Sequence, residues 1–194
     1  ILDLMNSYYG IDNYHVINDP NNTYIDHIDC WGKYLSPTKV LIRDVPQSHP
    51  QFNQTEETAS YSINTLNKWN EPWEVYRVWT PGNEPYTNSL IINDKVLIPL
   101  TGSSWDNAAI ESYKNAMPGY EVLGFSGAWE STDALHCRTK GIPDLEMLQI
   151  IHNPLNHLTE PTVEGYKVTV EIKDLSDSGI RSDSMKVFFK KEVD

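Results

Sequence analysis

Two short segments carry residue types suited to thiolate chemistry: Asp26-His27-Ile28-Asp29-Cys30-Trp31-Gly32-Lys33 and Thr132-Asp133-Ala134-Leu135-His136-Cys137-Arg138. Together they supply a thiol, an imidazole and a carboxylate, the parts needed to attack an electrophilic carbon. A thiol is a weak nucleophile until its pKa falls or a base takes its proton, and an imidazole is the usual partner. Side chains on a strand alternate with period two. Read as a strand, the first segment turns His27 and Asp29 toward one pocket, packs Ile28 into the layer behind and points Cys30 away. If Cys137 reaches that pocket, the chain holds most of a hydrolase site. His136, adjacent to Cys137, falls on the opposite face of a strand and is expected to be structural.

The 194 residues carry a net charge of −12, which argues against nucleic acid as a partner and favours cationic ligands such as guanidinium groups. No apolar run approaches the ~20 residues of a membrane span. Two cysteines are too few for a disulfide framework, and no Cys30–Cys137 bridge is expected. Cys30 reads as a small buried residue. Ile1-Leu2-Asp3-Leu4 reads as the middle of a helix and residues 188–194 as a strand without its sequel. The chain is therefore read as a fragment of a longer one, and the lack of a targeting signal carries no weight.

The elements that must position these side chains recur in a fixed order. Residues 24–35 and 40–45 read as strands joined by Ser36-Pro37-Thr38-Lys39. A helix follows, capped near Thr55 with Glu56 and Glu57 in its first turn and with Ala59, Ile63 and Leu66 on one face. Residues 73–79 read as the next strand. Residues 89–92 and 95–100 then form a hairpin around Asn93-Asp94. A helix starting at Asp106 or Asn107 carries Ala109, Ile110, Tyr113 and Met117, and Pro118-Gly119 stops it before a strand at 120–125. This gives about two complete ββαβ units. They are preceded by a helix tail (1–9) and a strand (14–17), and followed by a strand ending at Cys137. From Glu160 the character changes: 166–172 and 185–189 alternate around a polar, turn-rich stretch, as at the start of a small antiparallel β domain of immunoglobulin type.

The segments His27-Ile28-Asp29-Cys30-Trp31-Gly32-Lys33-Tyr34-Leu35, Tyr86-Thr87-Asn88-Ser89-Leu90 and Ala134-Leu135-His136-Cys137-Arg138-Thr139 resemble bacterial peptidylarginine deiminases, which group with agmatine deiminases among the guanidino-modifying enzymes. The resemblance covers roughly residues 1–150. It implies an α/β fold, part of a five-unit ββαβ propeller (the pentein fold), with the catalytic region at 1–158 and the start of an immunoglobulin-like β-sandwich at 159–194. It implies Cys137 as nucleophile, His27 as general acid/base, Asp29 as the grip on the guanidinium nitrogens and Asn88 beside them, with Tyr24 and Thr132 as substrate contacts. The implied reaction is hydrolytic deimination of peptidyl-arginine through a thiouronium intermediate, with no cofactor, no metal and no membrane span. The family's second carboxylate and its substrate-backbone contacts lie in an N-terminal half that this chain does not contain in recognisable form. The chain alone is therefore expected to be weakly active or inactive, with the missing half as its partner. Secretion or a cell-surface location is also implied by the resemblance, and two Asn-x-Thr sequons, at Asn21 and Asn53, add little.

Other readings compete with this one. Agmatine or free arginine suits the same Cys-His-Asp chemistry, and a non-catalytic binding module would keep the fold without turnover. A metal held by His27, Asp29 and His136 or Cys137 is the rival chemistry, but no tight pair such as His-Glu-x-x-His or Cys-x-x-Cys supports it. Trp69, Trp73 and Trp79 are expected to pack at core and rim, and His49, His152 and His157 to sit in solvated loops.

Overall fold

The computed structural model describes residues 2–9, 11, 14–22, 25, 27–67, 70–141, 146–152, 163 and 165–187. Its contacts divide the chain into two units, residues 1–139 and 140–194. The division falls ahead of the expected boundary at 158 because residues 148–152 pair with a strand of the second unit.

In the first unit, β1 (Gly32–Tyr34) lies antiparallel to β2 (Lys39–Asp44), and β2 lies parallel to β3 (Glu74–Trp79). The helix α2 (Phe52–Ile63) makes the crossover. As the central strand, β2 is covered on both faces, which is why Val40-Leu41-Ile42 runs apolar without alternation. Val40 and Ile42 meet Ala59 of α2 on one side, while Leu41 faces the main core on the other.

The order repeats. β4 (Leu90–Ile92) is antiparallel to β5 (Lys95–Leu100), and β5 is parallel to β6 (Glu121–Ser126) through α3 (Asp106–Ala116). Asn93 takes the left-handed turn position at φ 53°, a conformation that asparagine tolerates. Gly119 at φ 92° ends the α3 turn. α3 packs against β3 of the first sheet as well as β5 and β6 of its own. Its small residues Ala109 and Ala116 let it approach, and they share one core with Leu41, Val78, Val96 and Ile98. Fully burying each such aliphatic side chain stabilises the fold by about 1.5–3 kcal/mol. Two ββαβ repeats are thus present, as the strand and helix order implied. The helix tail is present as α1 (Leu2–Tyr9).

Several local expectations are corrected. Among the described residues of 24–35, only Gly32–Tyr34 is strand; Ile28–Cys30 is a 3-10 turn, and Ile28 is exposed instead of packed behind the sheet. Residues 14–17 form no strand, and 135–138 are a turn. Helix α2 starts at Phe52, so Thr55 lies inside it, its hydroxyl donating back to the Gln51 carbonyl at 2.8 Å. Glu56 and Glu57 therefore miss the first turn. The buried face is Thr55, Thr58 and Ala59, whereas Ile63 and Leu66 are exposed because the helix ends there. Trp73 and Trp79 pack as expected, against Tyr34 and Trp105; Trp69 and His157 lie outside the described residues.

The second unit contains β7 (Leu148–His152) antiparallel to β8 (Val170–Asp174), so His152 ends a strand and does not sit in a loop. Residues 185–187 form no strand, and 188–189 lie outside the described residues. Described β structure in this unit amounts to one two-stranded sheet. Among the described residues no helix is long and apolar enough to cross a membrane.

Candidate active site

Three connections between elements build the site. The first is the 3-10 turn before β1. Its amides are satisfied locally, Cys30 N–H on His27 O at 3.1 Å and Trp31 N–H on Ile28 O at 3.0 Å. Burial of Cys30 and Trp31 pins the turn to the protein. The period-two argument therefore fails here, yet His27 and Asp29 still share one side: His27 Nδ1 lies 4.0 Å from Asp29 Oδ1.

The second is the loop before β4. Asn88 is fully buried, and its amide hydrogen bonds to Pro85 O at 2.9 Å. Thr87 Oγ1 donates to the Asp29 carbonyl at 3.0 Å, tying this loop to the first. Helix α3 braces it from below. The Tyr86 hydroxyl donates to Asp106 Oδ1 at 2.8 Å, and the Tyr113 hydroxyl lies 2.9 Å from Tyr86 O and 2.8 Å from Ser89 Oγ. A carbonyl can only accept, so Tyr113 donates to Tyr86 and accepts from Ser89.

The third is the turn after β6. His136 N–H donates to the Asn88 carbonyl at 3.1 Å and Cys137 N–H to Asn88 Oδ1 at 3.2 Å. Asn88 Nδ2 in turn lies 3.0 Å from Cys137 Sγ. One buried asparagine thus holds both the backbone and the sulfur of the candidate nucleophile.

Around Cys137 Sγ stand Asp29 Oδ2 at 3.1 Å and His27 Nδ1 at 3.9 Å. The Asp29 side chain is 12% exposed and that of His27 57%, so the imidazole meets solvent while the carboxylate sits deeper. Burial raises the Cys137 thiol above its ordinary value; the Asn88 amide opposes this, and the Asp29 carboxylate adds to the rise. The free site therefore keeps a protonated thiol beside a carboxylate. A bound guanidinium would reverse that balance by bringing a positive charge to both groups.

His136 is the residue that strand reasoning misplaced. Its Nδ1 lies 2.5 Å from Asp29 Oδ2, so it joins the site. The turn at 135–138 removes the alternation on which the structural reading rested, and no local pattern signalled this. Thr132 contributes its backbone: its carbonyl lies 3.8 Å from Cys137 Sγ and 3.9 Å from Cys30 Sγ. Tyr24 lies outside the described residues. Both cysteines are free, and burial, followed by the Asp29 charge, pushes the Cys30 thiol up to about 12, which leaves it inert. Thr87 lies in the segment that carries the resemblance and Tyr113 on the apolar face of a helix, and no local pattern marks the supporting hydrogen bonds of either.

His27, Asp29 and Cys137 each offer a donor atom within 4.8 Å of the others, the one such metal-capable cluster among the described residues. A cavity of about 70 Å³ is lined by Ile28 with His15, Trp31, Lys33, Tyr61 and Trp73, and takes in neither Asp29 nor Cys137. It is walled largely by rings, and the thiol, imidazole and carboxylate that meet one another lie instead at the open site of Cys137.

The ββαβ repeats are similar in fold to solved structures of deiminases. A candidate arginine deiminase from Porphyromonas gingivalis is similar at a TM-score of 0.57 and 19% identity, over 70% of this chain and 44% of that one. A candidate peptidyl-arginine deiminase gives 0.55 and 18%, over 61% and 39%. Agmatine deiminase of Enterococcus faecalis gives 0.51 and 16%, over 57% and 38%. At these identities the likeness is one of fold, and this chain spans less than half the length of each. Residues 1–143 match the Porphyromonas-type peptidyl-arginine deiminase family, and the chain belongs to that family.

Proposed function

We propose that this chain carries the nucleophile side of a guanidine deiminase acting on peptidyl-arginine. The observation that carries the reading is the convergence of Cys137 Sγ, Asp29 and Asn88 from three separate connections, with Sγ 3.1 Å from the carboxylate and 3.0 Å from the amide. Membership of a family described as peptidyl-arginine deiminase supports the substrate class.

In this reading Asp29 receives the planar guanidinium by charge and hydrogen bonding, the cation's charge favours the thiolate, and the Cys137 proton passes to His27, whose Nδ1 lies 3.9 Å from the sulfur. The thiolate attacks the guanidinium carbon. His27 hands a proton to the departing amine, and ammonia leaves a thiouronium bonded to Cys137. His27 then takes a proton from water, which adds to the same carbon. The C–S bond breaks, returning the thiolate and a citrulline-type urea as the adduct's hydroxyl proton passes to solvent. Asn88 holds the sulfur on line, and His136 orients the Asp29 carboxylate.

The two repeats are two of five modules of a propeller. A partner segment, the N-terminal half of the same domain, supplies a second carboxylate, and the chain alone turns over slowly or not at all. The second unit, with its β7–β8 pair, belongs to an immunoglobulin-like domain of a secreted or surface protein.

Citrulline release from an arginine peptide and from agmatine, by this chain and by a longer chain carrying the N-terminal half, tests the reading. The expected result is turnover of the peptide in the longer chain, lost to background in Cys137→Ala and reduced roughly 10²–10⁴-fold in His27→Ala. Faster turnover of agmatine would transfer the assignment to a small-molecule deiminase. Turnover of neither substrate would remove the enzyme reading.

A further inference from the structure

The donors that make a thiol reactive are also those that zinc selects. Cys137 Sγ lies 3.1 Å from Asp29 Oδ2 and 3.9 Å from His27 Nδ1, and His27 Nδ1 lies 4.0 Å from Asp29 Oδ1. A tetrahedral zinc with arms of about 2.3 Å to sulfur and about 2.0–2.1 Å to nitrogen and oxygen holds its donors about 3.3–3.6 Å apart. Taking one donor atom from each residue, the three lie within 4.8 Å of one another, so rotation of the exposed His27 ring and the Asp29 carboxylate brings them to three corners of that tetrahedron.

We propose that His27, Asp29 and Cys137 form a reversible zinc-binding site, and that the metal closes the site to guanidinium substrates. The donors are held before any metal arrives. Cys137 is fixed through both its amide and its sulfur by Asn88, and the Thr87 hydroxyl holds the Asp29 carbonyl. His136 Nδ1, 2.5 Å from Asp29 Oδ2, supports the ligating carboxylate as outer partners of metal ligands do. His27 is more than half exposed, so the metal has an entry path and water can fill the fourth position. A thiolate with an imidazole favours zinc over magnesium or calcium, which prefer all-oxygen ligands.

Binding forms the Zn–S bond as the thiol proton passes to solvent. It occupies the sulfur that would attack, the nitrogen that would move protons and the carboxylate that would receive the cation. The two-positive metal cancels the thiolate and carboxylate charges, leaving neither of them to hold a guanidinium at the sulfur. This closing role rests on the deiminase reading; metal binding itself does not.

The test uses the metal-free 194-residue chain titrated with zinc against a chromogenic chelator, together with alkylation of Cys137 by iodoacetamide followed by peptide mass spectrometry. Expected are one zinc per chain, protection of Cys137 that a chelator reverses, and affinity at least about tenfold weaker in Cys137→Ser and in His27→Ala. The exposed His27 makes its replacement tolerable to the fold, and circular dichroism checks both variants. Unchanged zinc affinity in both variants, or no protection of Cys137, would overturn the site. A longer chain that releases citrulline faster with zinc bound would overturn the closing role. Zinc affinity and thiol protection are read without turnover, so failure of the deiminase reading leaves them standing and is told apart from failure of this one.

Discussion

Asp29 does two opposed things to Cys137. It lies 3.1 Å from the sulfur, where its charge disfavours a thiolate, and it is the group that would bring in the cation that favours one. The Asn88 amide, donating to the same sulfur, pulls the thiol the other way, against the larger effect of burial. Only the thiolate is alkylated. In the metal-free, substrate-free chain, alkylation by neutral iodoacetamide should therefore rise above the ordinary thiol range. Asp29→Asn should move that rise to lower pH and Asn88→Ala to higher pH, both followed by mass spectrometry of the Cys137 peptide. A profile that stays in place in Asp29→Asn would mean the carboxylate does not act on the sulfur. Cys30, held at about 12, serves as an internal control that stays unmodified.

Among the elements, α3 does more than cover the sheets. Asp106 at its start holds the Tyr86 hydroxyl, and Tyr113 two turns on holds the Tyr86 carbonyl and Ser89. The loop that presents Asn88 is thus hung from one helix face, and the helix reaches the candidate nucleophile through that loop. Tyr113→Phe removes one hydroxyl without changing shape and leaves the buried Tyr86 carbonyl without that donor. The expected loss is about 1–3 kcal/mol, read from the shift in urea unfolding. The same variant should alkylate Cys137 at an altered rate, because Asn88 is less firmly placed. Lost stability with an unaltered rate would confine Tyr113 to packing.

For the molecule as a whole, the charge of −12 makes long-range capture of a cation the natural expectation. A haloacetamidine, which carries an amidinium beside its alkylating carbon, should modify Cys137 faster at low salt. The advantage should shrink as the Debye length falls from about 30 Å at 0.01 M to about 8 Å at 0.15 M. Iodoacetamide, being neutral, should show no such dependence. Equal salt responses would mean that the local contacts with Asp29, not the field, recruit cations.

Most of the first unit was legible from local pattern. The runs around Val40-Leu41-Ile42 and Val96-Leu97-Ile98, the Asn93 turn and the Pro118-Gly119 stop each mark one element by short-range sterics, and together they imply the ββαβ order. Residue types also marked Cys137, His27 and Asp29 as candidates, and the family resemblance added Asn88. Tertiary structure decided how they meet. The backbone at 28–30 and 135–138 turns where alternation implied strands, so neither the closeness of His27 and Asp29 nor the placement of His136 follows from period two. Cys137 takes its hydrogen-bond partners from Asn88, 49 residues back, and Asp29, 108 residues back. Buried polar groups must find partners wherever the folded chain supplies them, and that demand is invisible to any local window.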